Sequence, residues 1–147
     1  MYDNIIDDET VDLVYGDVLQ TKDANKKFDE IPNSAFFDHS KYNFSRENMI
    51  KCLPGPMPLW RKDMHEKCGL FDSKDCNYAD DWEMWLRAVE AGSRFKKIHE
   101  VVGAYLLGGR SQKSDMEQRK EEARIFYKYK RVFGYNYEKF KPYFDQF

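Results

Sequence analysis

The chain has 147 residues and a formal net charge of −2, with 34% charged and 41% hydrophobic residues. This length suits a single domain with one core, and the composition excludes a disordered chain. The small net charge also excludes a general electrostatic attraction to nucleic acid or to an anionic membrane.

The first predicted strand is a buried segment at residues 11–15, an apolar run that follows several acidic residues. Those acidic residues are typical of the end of a helix, so we expect the chain to begin within a larger architecture. Residues 19–44 are rich in turn formers and predict a long connection with one edge strand near residues 35–37.

The middle of the chain predicts short elements separated by turns. A brief helix is expected from residue 45 to about residue 52, before a Pro-Gly-Pro-Met-Pro turn at residues 54–58. A short strand at residues 59–60 then leads into a helix at residues 61–68 that ends at Gly69.

Residues 80–91 predict an amphipathic helix that ends before Gly92, with one buried stripe formed by Trp82, Trp85, Leu86 and Val89. Asp80 is suited to the N-cap, and Glu83 completes a pair that resembles a capping box. Asp81 lies in the first turn, where backbone N–H groups and the helix dipole favour an ionised carboxylate. Such a group suits a general base and equally suits an ordinary helix start, so both roles stay open.

The C-terminal part predicts a strand at residues 95–107 and then a flexible loop at residues 108–111. A capping box at residues 114–117 opens a helix that runs to about Phe133. The aromatic tail at residues 135–147 is expected to pack back onto the body of the protein.

The cysteines are odd in number and lack Cys-x-x-Cys spacing, which indicates free thiols and a cytoplasmic protein; they are Cys52, Cys68 and Cys76. No signal peptide or transmembrane segment is predicted. The histidines His39, His65 and His99 have no companions at ligand spacing, which favours surface or packing roles. The basic and aromatic run at residues 127–131 divides between two helix faces, so no nucleic-acid partner is expected.

Five short motifs follow one another along the chain: Asp-Leu-Val-Tyr-Gly-Asp-Val at 12–18, Leu-Trp-Arg-Lys at 59–62, Glu-Lys-Cys-Gly-Leu-Phe-Asp at 66–72, Tyr-Ala-Asp-Asp-Trp-Glu-Met-Trp-Leu-Arg at 78–87, and Tyr105 with Gly-Gly-Arg-Ser at 108–111. In this order and spacing, the chain resembles the C-terminal, acceptor-side half of a family 2 glycosyltransferase with the GT-A fold. The best match covers residues 11–114, and residues 115–147 add a C-terminal helix and tail to a single domain.

The resemblance implies an α/β fold, with a partial GT-A-like mixed sheet flanked by helices and lacking the N-terminal nucleotide-binding half. It implies inverting transfer of a sugar from a nucleotide-sugar to the hydroxyl of a glycan or another acceptor. By motif alignment the general base is Asp81. The residues expected to bind substrate are Trp60, Asp80, Arg110 and Ser111.

The sequence also departs from the family pattern. The Asp-x-Asp motif that holds a divalent cation, Mn²⁺ or Mg²⁺, is not found, and Gly108 and Gly109 stand where many relatives carry a histidine. We therefore expect the nucleotide half to come from a missing N-terminal segment, another domain or another chain. Loss of half of a GT-A sheet should expose an edge strand at residues 11–15 and an apolar helix-packing face, so we also expect self-association or a rearranged N-terminal region. The alternative is a degenerate, non-catalytic glycosyltransferase module that binds a glycan or a protein partner.

Overall fold

The computed structural model describes residues 1–72, 74–109 and 115–147. The described segments contain six α-helices and three strands, with short 3₁₀ turns between some of them. In chain order they are α1 (Tyr2–Ile6), β1 (Leu13–Thr21), β2 (Leu59–Trp60), α2 (Met64–Cys68), α3 (Asp80–Glu90), β3 (Phe95–Leu106), α4 (Met116–Lys128), α5 (Lys130–Phe133) and α6 (Tyr137–Phe144). No helix in these segments is long and apolar enough to cross a membrane.

The three strands form one mixed sheet in the order β2-β1-β3. Leu13 of β1 lies opposite Trp60 of antiparallel β2 and opposite Phe95 of parallel β3. The predicted α/β class, with a mixed sheet and flanking helices, is confirmed. The exposed edge expected at residues 11–15 is wrong, because β1 is the central strand and is paired on both sides.

Strand β1 is also longer than predicted and continues to Thr21, which lies opposite Leu106 at the end of β3. Its last residues are held by this parallel partner, which local sequence cannot reveal. The predicted edge strand near residues 35–37 is reduced to a single antiparallel bridge between Phe36 and Leu19.

The two faces of the sheet bury different cores, because successive side chains of a strand point to opposite faces. Leu13 and Tyr15 belong to the main core, which also contains residues of α3, α4, α5 and α6. Val14 belongs to a smaller cluster with Ile5 of α1 and Ile98 of β3. The helices that surround the candidate site therefore lie on the main-core face.

Helix α3 buries its predicted stripe in full, since Trp82, Trp85, Leu86 and Val89 are all at most 4% exposed. The helix begins at Asp80, and Ala79 occupies the N-cap position without a side-chain hydrogen bond. The predicted N-cap role of Asp80 is therefore wrong. Glu83 makes no capping pair with it, because its carboxylate is buried among partners from α3, α4 and the α4–α5 junction.

The helix predicted to run to Phe133 is interrupted at Tyr129 and forms α4 and α5. Asp115 caps α4 by accepting the backbone N–H of Gln118 at 2.8 Å, while Ser114 lies outside the described residues. The aromatic tail packs back as predicted, with the ring of Phe144 stacked on Phe126 at 4.2 Å between centroids.

Candidate functional site

A cavity of about 650 Å³ lies at the head of α3. Its walls come from distant parts of the chain: residues 37–39, residues 50–56, the start of α3, the end of β3, the first turns of α4, and α6. This volume falls within the range of about 300–1,000 Å³ that is usual for small-molecule sites. The fold thus assembles a pocket of substrate size around the helix start that the sequence singled out.

Asp81, the second residue of α3, lines this cavity and remains accessible to solvent. Its Oδ1 atom accepts the backbone N–H of Trp82 at 2.6 Å. The surrounding protein atoms displace water and raise the pKa of Asp81 above its usual value, and they outweigh the hydrogen bond from Trp82, which lowers it. The helix start was expected to favour the ionised form of Asp81, but burial outweighs that effect. Asp81 is therefore a stronger proton acceptor than an ordinary aspartate.

Two neutral groups lie close to Asp81. Burial lowers the pKa of His39 below its usual 6.5, so this imidazole is largely uncharged at neutral pH. The Cys52 Sγ atom lies 4.0 Å from Asp81 Oδ1, and burial raises the pKa of the Cys52 thiol, which therefore stays protonated. Neither group forms an ion pair with Asp81 at neutral pH, so its carboxylate stays available to a ligand.

Four of the five charged side chains in the described lining form two pairs of opposite charge. Lys51 Nζ lies 3.8 Å from a carboxylate oxygen of Asp38, and Arg119 lies 3.1 Å from a carboxylate oxygen of Glu122. With Asp81, the described lining carries three carboxylates and two basic side chains, a net charge of one negative at neutral pH.

Aromatic rings form much of the remaining wall. The rings of Phe37 and Tyr105 are 4.5 Å apart between centroids and tilted by 41°. His39 lies beside Phe37, with its ring centroid at 4.9 Å. On another wall Tyr143 accepts a hydrogen bond from Arg119 at 2.6 Å. Aromatic faces beside a few polar groups are characteristic of small-molecule sites.

Two of the other residues predicted to bind substrate, Trp60 and Asp80, are not brought to this cavity. Trp60 packs edge-on against Trp85 at 5.3 Å, and its indole N–H donates to His65 at 3.0 Å. Neither Trp60 nor Asp80 is among the described residues that line the cavity. Arg110 and Ser111 lie outside the described residues, so their expected role stays a prediction.

The structure adds lining residues that were not assigned to a site from the sequence, notably His39, Tyr105, Arg119 and Glu122. They lie between 24 and 42 positions from Asp81 in the sequence, and no spacing rule connects them. His39 was predicted to have only a surface or packing role, because no partner stands near it in sequence. Only the tertiary fold brings these residues together.

The described segments contain no group of three or more His, Cys, Asp or Glu side chains that could hold a metal ion. The described residues therefore include no cluster suited to the divalent cation that the family resemblance implies. Comparison with protein-family models, with curated proteins and with solved structures found no match to this chain.

Proposed function

We propose that this chain is the acceptor-side portion of an inverting, nucleotide-sugar-dependent glycosyltransferase in which Asp81 is the general base. The observation that carries the proposal is the position of Asp81: a carboxylate with a raised pKa at the head of a helix, facing a cavity of about 650 Å³. A general base works best when its pKa approaches the working pH and its position is fixed.

In the proposed step Asp81 accepts the proton of an acceptor hydroxyl as that oxygen attacks the anomeric carbon of the donor sugar. The new carbon–oxygen bond forms on the face opposite the bond that breaks, so the configuration inverts. The nucleotide diphosphate leaves with the bonding electron pair. Asp81 ends the step protonated and returns its proton to water.

Glu83 helps to fix helix α3, and with it the position of Asp81. Its side chain points away from the cavity into the core. Its carboxylate accepts hydrogen bonds from Arg87, at 2.9 Å, and from Lys128, at 3.2 Å. Arg87 also donates to the carbonyl of Leu70 at 2.8 Å, which connects α3 to the segment after α2. A base on a helix fixed in this way loses little freedom when a substrate binds.

Stabilisation of the departing diphosphate is not assigned to the described residues. They offer no metal-ligand group, and both basic side chains of the cavity are engaged by carboxylates. In the family that the chain resembles, a divalent cation serves this purpose.

The second candidate is a non-catalytic module that binds a glycan or a protein. The paired charges and aromatic walls of the cavity favour it, because they suit ligand binding without any chemistry. The two candidates differ in whether the carboxylate of Asp81 is needed for turnover.

The test combines calorimetric titration of nucleotide diphosphates, with Mg²⁺ or Mn²⁺, and assays of sugar transfer and donor hydrolysis with a panel of nucleotide-sugars. Asp81→Asn is compared with Glu90→Gln, which removes an exposed carboxylate at the other end of α3. The proposal predicts turnover that falls by about 10²–10⁴-fold in Asp81→Asn and is unchanged in Glu90→Gln. Turnover that Asp81→Asn leaves intact would contradict Asp81 as the base. No turnover with any donor, when the nucleotide half is supplied in the same or a second chain, would contradict the enzyme and favour the binding module.

A further inference from the structure

The cavity presents two adjacent aromatic side chains to its interior, on the wall formed by residue 37 and the end of β3. Phe37 and Tyr105 are both only partly buried, although their ring centroids lie 4.5 Å apart. Core rings of this size are normally covered by protein, as the 0% exposed Phe126 is here. The two rings therefore offer apolar surface to a ligand that occupies the cavity.

The charges of the cavity disfavour an anionic ligand. Lys51 and Arg119 each face a carboxylate, and Arg119 also donates to the hydroxyl of Tyr143 at 2.6 Å. A carboxylate or phosphate on the ligand would have to displace one of these partners, and the described part of the lining has a net negative charge. Hydroxyl groups meet no such barrier, because they can donate to the carboxylates of Asp38, Asp81 and Glu122.

Given the transferase function proposed above, on which this step rests, we propose that the acceptor is a neutral saccharide whose ring packs on Phe37 and Tyr105 while one hydroxyl reaches Asp81. The C–H face of a sugar ring carries partial positive charge and is attracted to the negative face of an aromatic ring. Its hydroxyls match carboxylate oxygens, which accept hydrogen bonds. A ligand with one apolar face and a rim of hydroxyls therefore matches both walls of the cavity.

The proposal is tested by binding and does not depend on turnover. Neutral trisaccharides of glucose, galactose, mannose and N-acetylglucosamine are screened by saturation-transfer NMR, and bound sugars are titrated by calorimetry. The trimers of glucuronic, galacturonic and mannuronic acid are the matched anionic probes. We expect at least one neutral hexose trimer to bind and its uronic acid counterpart to bind at least about tenfold more weakly, a difference of 1.4 kcal/mol.

Four variants locate the binding surface. Phe37→Ala and Tyr105→Ala are each expected to weaken binding about tenfold, because each removes one stacking face. Tyr105→Phe keeps the ring and should retain most of the affinity, which separates loss of stacking from misfolding. Tyr135→Ala removes a fully exposed aromatic side chain that is not among the described cavity residues, and should leave binding unchanged.

The proposal is overturned if no neutral trisaccharide binds, if the uronic acids bind as tightly, or if Tyr105→Ala binds like the unchanged protein. Its failure is distinguishable from failure of the transferase function. Saccharide binding without turnover that depends on Asp81 would contradict the transferase function and support the saccharide site. If a sugar is instead transferred to a hydroxyl acceptor that is not a saccharide, and this transfer depends on Asp81, the transferase function would be supported and the saccharide site contradicted.

Discussion

The carboxylate of Glu121 in α4 accepts the backbone N–H of Ala79, the N-cap residue of α3, with an N···O distance of 2.9 Å. The same carboxylate accepts the N–H groups of Tyr78, at 2.8 Å, and Asn77, at 2.9 Å. A side chain from another helix therefore fixes the segment that leads into α3, whereas Asp80 was expected to accept N–H groups of the first helical turn. Asp81 lies only two residues after Ala79. Glu121 therefore also holds the backbone that leads to the proposed base.

Replacement of Glu121 should loosen the head of α3. Glu121→Ala leaves three backbone donors without their acceptor, one of them on buried Ala79, and should lower the free energy of unfolding by about 2–3 kcal/mol. Glu121→Gln keeps one acceptor oxygen and should cost about half as much. Urea denaturation of the two variants measures both effects. Equal stability of Glu121→Ala and the unchanged protein would show that solvent replaces the carboxylate without loss.

Asp81 should stabilise the folded protein less when it is ionised, so its contribution to the free energy of unfolding should depend on pH. Its folded-state pKa is raised above the usual 3.8, so its favourable contribution is complete below pH 3.8 and is lost as the pH rises through the folded-state pKa. Asp81→Asn should therefore be more stable than the unchanged protein at pH 7. The difference should shrink towards pH 3.5. Denaturant unfolding at the two pH values measures it.

Asp38 is the matched control for that prediction, because the shift of its pKa has the opposite sign. Its hydrogen bond from Lys41 lowers the pKa of Asp38, so its contribution is present above pH 3.8 and is lost as the pH falls through the lowered pKa. Asp38→Asn should be slightly less stable than the unchanged protein at pH 7, by less than about 1 kcal/mol because the pair is exposed. If Asp81→Asn is also destabilised at pH 7, burial does not dominate at Asp81.

Glu83 should contribute to acid sensitivity. Burial acts to raise the pKa of Glu83, but the hydrogen bonds from Arg87 and Tyr129 outweigh burial and lower the pKa below 4.5. The stabilisation by this carboxylate is therefore present above pH 4.5 and is lost as the pH falls through the lowered pKa. Glu83→Gln should lower the free energy of unfolding by about 2 kcal/mol at pH 7 and lose less stability on acidification.

The measurement for Glu83 is a set of urea unfolding curves between pH 3 and pH 7. Glu90→Gln, in which an exposed carboxylate of the same helix is removed, is the control and should follow the unchanged protein. A Glu83→Gln variant whose pH dependence matches that of Glu90→Gln would show that the buried carboxylate has no lowered pKa.

Local patterns predicted the elements whose causes are local. The apolar stripe gave the bounds of α3 to within one residue, and the strands at Leu59–Trp60 and Phe95–Leu106 were placed correctly. Boundaries and side-chain roles that depend on distant partners were not predictable. The end of β1 needs β3, and Glu83 was assigned to a capping pair because Tyr129, its partner 46 positions later, is invisible in its local context.

The candidate site likewise has one part that local sequence could predict and another that depends on distant residues. Asp81 was proposed from the sequence because a helix start, and a motif that resembles one of family 2 glycosyltransferases, can both be recognised within ten residues. The cavity in front of it could not be predicted, since Phe37, Tyr105 and Glu122 meet there only after the chain folds. The sign of the pKa shift at Asp81 was missed for the same reason, because burial by distant residues decides it.

Gly16 in the middle of β1 should not accept a side chain. A Cβ atom at this position would lie 2.5 Å from Cγ1 of Val102 and 2.6 Å from the carbonyl oxygen of Glu100, both in β3. The pairing of β1 with β3 shifts register around this residue, which brings the two backbones close together. Gly16→Ala should therefore lower the free energy of unfolding by about 2–3 kcal/mol, as overpacking does.

Two further variants test the cause of that loss. Gly109→Ala adds a methyl group where the nearest atom is 3.8 Å away, so its effect should stay within about 0.5 kcal/mol. Val102→Ala combined with Gly16→Ala removes the side-chain clash but leaves the carbonyl of Glu100 in place. The double variant should therefore show favourable coupling without full recovery. Stability of Gly16→Ala equal to that of Gly109→Ala would mean that β1 and β3 do not approach closely in solution.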